Sequence, residues 1–278
     1  MRFLFAAVAL SFGLVSCVHN HQVSTAKDEK AVCITEKDLI NSTTEKALGE
    51  AIFTKILHKE KMLAVSDDFK TYTAEITKNL ADVSNRPELG YEVQFIDSKE
   101  LIALGLPGGK IVISKAFLNI IKTESEYANV IANQISHIAK QHLLQNLLKD
   151  SEYAAALKTG AVTERAIQQS IFILFDMGFE INMVNDADRL APTYAMHAGY
   201  DIHGMQNILN SISTTMTKNR SYGKTDLSYD MINHRTSMST VFTKTLEAAD
   251  KKDFPKIEDQ FAAMMKKIKP IKKKPAAK

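Results

Sequence analysis

The chain has 278 residues, of which 45% are apolar and 24% are charged. These values are typical of a globular protein that forms a packed core without needing disulfide bonds or structural metal ions. No segment recurs at a fixed period, which excludes a solenoid or a propeller. The formal net charge is +3, and we expect no nucleic-acid partner.

The N-terminal segment combines one positive charge with a short apolar run. Arg2 supplies the charge, and residues 3–15 are almost entirely apolar, a run too short to span a bilayer as a helix. Residues 14–17 read Leu-Val-Ser-Cys, which resembles the bacterial lipobox. The resemblance implies a signal peptide over 1–16, cleavage before Cys17 and a lipid anchor on its sulfur. A plain secretory signal or an uncleaved anchor is the alternative.

Val18 follows the cysteine, and by analogy with envelope sorting in Gram-negative bacteria this favours the outer membrane. We therefore expect a lipid-anchored protein of the bacterial cell envelope, facing the periplasm. Residues 17–40 are interpreted as the lipidated N-terminus and a polar tether. Cys33 is then the one remaining thiol, and it has no intramolecular disulfide partner.

Helical spacing of apolar residues begins near Asn41. Ser42 or Thr43 is expected to cap this first helix. A second helix is predicted over 68–83, where apolar residues again fall on one side. These two helices open a domain that we assign to residues 41–250.

The pattern then changes from helix to strand. Tyr91, Val93 and Phe95 alternate with polar residues, which predicts a half-buried strand. Residues 106–109 read Leu-Pro-Gly-Gly, a turn signal, and 110–114 is predicted to be the returning strand. The sequence thus predicts a small sheet between helices.

Four helical regions are predicted in the second half of the domain. They cover residues 124–148, 163–196 with a bend at Pro192, 202–212 and 238–249. Residues 251–278 are assigned to a basic, disordered tail, because seven lysines and no acid lie within 266–278. This tail is a candidate contact for anionic envelope polymers, or it is merely solubilising.

Four segments in order carry a family resemblance. They are Leu-Pro-Gly-Gly at 106–109, Glu-Tyr-Ala-Asn-Val-Ile-Ala-Asn-Gln-Ile-Ser-His at 126–137, Asp-Ala-Asp-Arg-Leu at 186–190 and Ala-Gly-Tyr-Asp at 198–201. Together they resemble the HtpX, BepA and Oma-type zinc endopeptidases of metallopeptidase family 48, over roughly residues 44–246. The resemblance implies an α+β, mostly α fold of the zincin type (gluzincin), with a small sheet beside the active-site helix.

The sequence departs from that family at the positions of the zinc ligands and the general base. In a His-Glu-x-x-His helix the histidines bind zinc, and the glutamate is the general base. Here Asn133 takes the first ligand position, Gln134 takes the base position, and His137 remains. An amide oxygen is a poor zinc ligand, and glutamine accepts no proton. Asp186 stands where the family has a glutamate as third ligand, and it is one methylene shorter.

Other positions follow from the same resemblance. Pro107, Gly108 and Gly109 are expected to line the cleft, and Tyr229 lies roughly where the family often has a histidine. His142 also matches a family histidine. Because it is five residues from His137, we expect the two rings to diverge around one helix and to chelate poorly.

A retained fold without the reaction is the leading interpretation. It predicts an envelope lipoprotein whose metallopeptidase-like domain is catalytically inactive and needs no cofactor. The protein would act as a binding, scaffold or chaperone-like protein, with a peptide or protein in its cleft. The alternative is an active zinc metalloendopeptidase that uses His137, Asp186 and either Asn133 or His142. A purely structural lipoprotein is the third interpretation. Asp188 and Arg189 are expected to make contacts that support the site residues or the fold, rather than to take part in catalysis.

Overall fold

The computed structural model describes residues 39–218, 229–249 and 260–266. The predicted lipidation site Cys17, the tether with Cys33 and most of the lysine-rich tail lie outside these residues. Within the described part of the chain, no helix is both long enough and apolar enough to cross a bilayer.

The first two helices begin at side chains that bind their free backbone N–H groups. Helix α1 spans Ser42–Leu57, and the Asn41 side chain accepts a hydrogen bond from the Thr44 N–H at 2.8 Å. Asn41 is therefore the N-cap, and the expected caps Ser42 and Thr43 lie inside the helix. Helix α2 spans Asp67–Asp82 and is capped by Ser66.

Three short strands form one sheet. They are β1 (Glu92–Ile96), β2 (Ala103–Leu106) and β3 (Lys110–Ser114), in the order β1-β3-β2. The predicted returning strand, β3, runs parallel to β1 and antiparallel to β2. The tight turn at 107–109 joins β2 to β3, in keeping with their antiparallel pairing, since a short turn can connect only antiparallel neighbours. Sequence analysis missed β2, which has four residues and a central glycine.

The Pro-Gly-Gly turn is held against α1 by a buried ion pair. Glu45, 1% exposed, accepts hydrogen bonds from both terminal nitrogens of Arg86 at 3.1 and 2.8 Å. The same carboxylate accepts a bond from the Gly108 N–H at 3.2 Å. Gly108 has φ +79°, and a Cβ there would lie 2.5 Å from the Lys46 Cα. Both the backbone angle and the close approach therefore require glycine.

A long helix breaks after the sheet because one residue adopts a left-handed conformation. The helices here are α3 (Lys115–Leu118), α4 (Glu124–Ala139), α5 (His142–Leu147) and α6 (Ser151–Lys158). The predicted single helix over 124–148 is wrong, since Gln141 has φ +56° and separates α4 from α5. Helix α6 was not predicted.

The second long prediction also breaks, but not at its proline. Helix α7 (Glu164–Phe172) continues into a π-helical turn over Ile173–Met177, and α8 spans Ile181–His197. The interruption falls at Gly178, with φ +78° and ψ 175°. Pro192 lies within α8, which continues through it.

Three helices complete the described chain. They are α9 (Gly204–Lys218), α10 (Tyr229–Ala249) and α11 (Gln260–Met265). Helix α10 begins nine residues before the predicted start at 238. Phe261 on α11 is 1% exposed, and its ring centroid lies 5.0 Å from that of Tyr127 on α4. The tail assigned to 251–278 is therefore wrong for residues 260–265, which join the apolar core.

Apolar cores lie on both faces of the sheet, because strand side chains alternate between faces. Ile111 and Ile113 of β3 belong to one core together with α2, α4, α8 and α9. Val112 belongs to the other, with α1, α5 and α7. Nearly every residue of α4 is buried. The α+β, mostly α architecture is confirmed, with the sheet beside this central helix.

Candidate functional site

A cavity of about 460 Å³ opens beside the edge strand β2 and the middle of α4. Its walls are mainly apolar and come from residues 101–105, the segment 171–179 and one side of α9. Its polar lining away from the rim comes from four side chains: Asn133, Gln134, His137 and Arg235. Charged side chains lie around the rim: Lys55, Lys59, Glu60, Glu100 and Asp176.

The predicted cleft residues of the Pro-Gly-Gly turn do not line this cavity. Pro107, Gly108 and Gly109 pack against α1 at the other end of β2, where Gly49 and Lys46 approach them closely. The turn thus fixes the β2–β3 hairpin from outside the cavity. Tyr229 is the first residue of α10, and its side chain lies outside what the structure describes.

Helix α4 carries three of the matched family positions on its cavity side. Thr123 caps the helix by accepting the Glu126 N–H at 3.2 Å, and the Glu126 carboxylate accepts the Lys122 N–H at 2.6 Å. These two bonds satisfy N-terminal donors much as a capping box does. The helix then presents Asn133, Gln134 and His137 to the cavity, each less than 10% exposed.

The Asn133 amide is oriented by a buried ion pair. Its Nδ2 donates to Asp188 Oδ1 at 2.9 Å. Asp188 is fully buried and accepts two bonds from Arg235, from Nη2 to Oδ1 at 2.7 Å and from Nε to Oδ2 at 2.8 Å. A carboxylate only accepts hydrogen bonds, so the amide nitrogen of Asn133 must face it. The Oδ1 of Asn133 then accepts the Nε2–H of Gln134 at 2.9 Å.

The two histidines meet, contrary to expectation. Their Nδ1 atoms are 3.0 Å apart, and the rings meet edge to face with centroids 4.9 Å apart. The left-handed Gln141 turns the chain back between them, so His142 does not continue around α4. Phe179, from the segment before α8, stacks on His137 at 4.5 Å between centroids.

Burial keeps both imidazoles neutral. Burial lowers the pKa of His137 well below its usual range, and His142 and Arg235 lower it further. Burial also lowers the pKa of His142 to about 4, against the opposing negative charge of Asp186. At neutral pH, one neutral imidazole Nδ1–H therefore donates to the Nδ1 of the other.

Asp186 does not join the polar network of Asn133 and Gln134. Its side chain is 51% exposed, and its Oδ1 lies 3.5 Å from Nη2 of Arg189. Asp188, two residues later on α8, points inward instead because positions two apart lie on different sides of a helix. Asp188 makes supporting contacts of the kind expected from the sequence, to Asn133 and Arg235. Sequence analysis missed Arg235, Phe179 and the edge strand, for which no spacing pattern existed.

The donors present do not fit a catalytic zinc ion, which takes three protein ligands and one open position. The Asn133 oxygen is bonded to Gln134, and the Asp186 carboxylate is half-exposed and lies beside Arg189. Among the described residues, no group of three His, Cys, Asp or Glu side chains converges to hold a metal ion. The residues present therefore do not form a catalytic zinc site of the usual kind.

The neutral histidines predict a pH dependence of stability. The unfolded chain takes up protons on these rings near the ordinary pKa of 6.5, whereas the folded His142 does so only near 4. Between these values the unfolded state binds more protons, so the free energy of unfolding falls as the pH is lowered. The slope is up to about 1.4 kcal/mol per pH unit for each ring.

We expect His142→Gln to flatten this dependence of the unfolding free energy on pH, measured in urea unfolding series from pH 7 to 4. An identical slope in the variant would contradict it.

Comparison with known proteins identifies the family. The profile of Peptidase family M48 matches residues 70–245. The chain is 22% identical over 188 residues to a beta-barrel assembly-enhancing protease of Yersinia pestis, covering 61% of this chain and 37% of the relative. It is 25% identical over 127 residues to the mitochondrial metalloendopeptidase OMA1 of Arabidopsis thaliana, covering 45% and 26%.

A third relative, the mitochondrial metalloendopeptidase OMA1 of Schizosaccharomyces pombe, is 22% identical over 163 residues, covering 56% of this chain and 48% of the relative. The aligned parts thus span less than half of each of these three relatives. The family profile covers more than half of the chain, and its zincin-like fold agrees with the central helix and small sheet. The protein therefore belongs to peptidase family M48.

Proposed function

We propose that this domain binds unfolded polypeptide segments in its cleft without cleaving them, as a chaperone-like or scaffold protein of the bacterial cell envelope. One observation carries the proposal. At the position of the family's general base, Gln134 offers an amide that is hydrogen bonded to Asn133. Loss of a general base alone lowers a rate by about 10²- to 10⁴-fold.

Among the described residues, the buried titratable groups beside Gln134 are poor replacements for that base. The nearest titratable side chain on the same helix face is His137, whose pKa lies well below its usual range. A group with such a pKa is a weak base at neutral pH. Asp188 is bound by Arg235 and Asn133 and is fully buried. The cleft therefore has polar groups suited to hydrogen bonding rather than to proton transfer.

The edge strand supports binding of an extended segment. β3 pairs with one side of β2, and β2 is the last strand of the sheet. An extended peptide adds to such an edge through main-chain hydrogen bonds. The apolar cavity walls beside β2 then receive alternate side chains of the added strand. Half-buried Leu104 belongs to this wall.

The relatives motivate the location. The name of the Yersinia pestis relative ties that protein to β-barrel assembly. A role with unfolded envelope proteins suits a chain whose residues 14–17 resemble a lipobox. The alternative function is an active zinc metalloendopeptidase with His137, His142 and Asp186 as ligands. The 3.0 Å approach of the two Nδ1 atoms favours it, whereas the exposure of Asp186 opposes it.

Binding is tested with an unfolded probe. Fluorescein-labelled, reduced and carboxymethylated α-lactalbumin is titrated with the purified protein and followed by anisotropy. We expect saturable binding and an intact probe on a denaturing gel. Leu104→Asp places a charge in the apolar wall and should weaken binding by about tenfold or more, which corresponds to about 1.4 kcal/mol.

Val241→Asp is the matched control, because Val241 is 54% exposed on α10 and does not line the cavity. It should bind the probe as the wild type does. Absence of binding by the wild type, or equal binding by Leu104→Asp, would overturn the proposal.

Lipid anchoring at Cys17 is proposed from the lipobox resemblance. Cys17→Ser removes the acceptor sulfur, and an acyl chain contributes about 0.8 kcal/mol for each buried methylene. We expect the variant to move from the membrane pellet to the soluble fraction after cell lysis. Continued pelleting of the variant with the membranes would refute the anchor.

A further inference from the structure

We propose that Gln134 binds the main chain of the captured segment, through paired hydrogen bonds between its carboxamide and one peptide group. The inference rests on the proposed function and adds the chemical class that the cleft selects. That class is an extended, apolar segment with a free backbone N–H opposite Gln134. The residue at the family's base position thus becomes a ligand-binding residue.

The orientation of the Gln134 amide is fixed by a chain of hydrogen bonds that begins at the ion pair of Arg235 and Asp188. Arg235 holds Asp188, and Asp188 holds the nitrogen of Asn133. The oxygen of Asn133 is thereby directed to Gln134, whose Nε2 must donate to it. These contacts fix which atom of each amide is nitrogen and which is oxygen. A reversed Asn133 amide would place its oxygen against the Asp188 carboxylate, and a reversed Gln134 amide would place its oxygen against that of Asn133.

One acceptor and one donor of Gln134 remain for a ligand. Within the described part of the chain, no donor binds its Oε1, and only one of its two Nε2 hydrogens is used. The side chain lines the cavity and is 8% exposed. A neutral acceptor beside a neutral donor complements a peptide group, which offers one N–H and one C=O.

The position of β2 brings an added strand to Gln134. A Cβ on Gly105 would lie 2.7 Å from the backbone oxygen of Gln134. Glycine therefore allows the edge strand to lie directly on the turn of α4 that carries Gln134. A segment that pairs with β2 consequently passes within reach of the carboxamide.

The chemistry of the cavity argues against a charged ligand. The guanidinium of Arg235 lines the cavity but already binds Asp188. The other lining groups away from the rim are amides, a neutral imidazole and apolar side chains. A ligand that covers Gln134 without hydrogen bonding leaves a polar group buried and unsatisfied. Segments with proline at this position, which lacks the N–H, should therefore be rejected.

The test uses Gln134→Met, which keeps the length of the side chain and removes its hydrogen bonds. The probe is the labelled α-lactalbumin described above. Because two net hydrogen bonds are lost, we expect the dissociation constant to rise by about 5- to 100-fold. Gln145→Met is the matched control, since Gln145 is an exposed glutamine on α5 that does not line the cavity. It should bind as the wild type does.

A second measurement changes the probe instead of the protein. A labelled ten-residue peptide of alternating valine and threonine is compared with versions N-methylated at single positions. We expect one position at which methylation weakens binding to the wild type far more than to a variant such as Gln134→Ala. This comparison stands if Gln134→Met fails to fold.

The outcomes separate the two proposals. Wild-type binding that Gln134→Met weakens, or a methylation effect that depends on Gln134, supports the inference. Equal binding by wild type and Gln134→Met, or identical methylation profiles, overturns it and leaves the cleft as a binding site. Failure of the wild type to bind α-lactalbumin overturns the proposed function, and the inference with it.

Discussion

Asp188→Ala is expected to lower the free energy of unfolding by about 3–5 kcal/mol, the cost of breaking a buried ion pair by removing one partner. The variant leaves the guanidinium of Arg235, 7% exposed, without the carboxylate that neutralises it. It also removes the acceptor that orients Asn133. Urea unfolding at pH 7.5 measures the change.

Asp186→Ala is the control on the same helix. Its carboxylate is half-exposed, and its contact with Arg189 is a surface pair at 3.5 Å. Exposed pairs contribute at most about 1 kcal/mol. A small effect of Asp188→Ala, comparable to that of the control, would show that the ion pair does not support the polar network of the cleft.

Rebuilding the family motif is expected to raise the zinc affinity well above that of the wild type. Asn133→His with Gln134→Glu restores two histidines four residues apart on α4. Zinc-site energies of about 10–16 kcal/mol over four ligands correspond to about 3 kcal/mol, or roughly 100-fold, for each ligand. Adding Asp186→Glu lengthens the third side chain and should strengthen binding further.

Zinc titration calorimetry on the wild type, double and triple variants measures the gain. The control pair, Gln145→His with Asn146→Glu, introduces the same residue types on α5, outside the cavity. The triple variant is not expected to regain full casein-cleaving activity, because catalysis also requires oriented donors that stabilise the transition state. If folded double and triple variants bind no more zinc than the control pair, Asn133 and Asp186 do not face a common site.

The central helix was predictable because its signal is local. The apolar spacing along 124–138 and the acidic first turn specify a buried helix, and the matched positions Asn133, Gln134 and His137 all lie on it. The break at Gln141 was not predictable from such a pattern. The left-handed conformation of a glutamine carries no sequence signature, yet it brings His142 to His137.

The polar network of the cleft was also beyond the sequence. Asn133 is 55 residues from Asp188, and Asp188 is 47 residues from Arg235. No periodicity relates residues that meet only when three helices pack together. The missed strand β2 has a different cause: its four residues include Gly105, which disfavours strand on propensity but is required where β2 meets α4.

The positions of the turn residues show how a family resemblance can mislead. Pro107, Gly108 and Gly109 were expected beside the cleft because the matched segment lies there in the family. In this chain the turn packs on α1 through Glu45 and Arg86. Those two residues carry no catalytic signal, and their burial is a property of the assembled fold.

We propose that the domain holds polypeptide without cleaving it. This claim is tested most directly by equilibrating the purified wild type with excess zinc, removing loosely bound metal on a desalting column, and measuring zinc content and casein cleavage on the same sample. We predict far less than one zinc per chain and no casein fragments. One zinc per chain, abolished together with casein cleavage by His137→Ala, would contradict the claim.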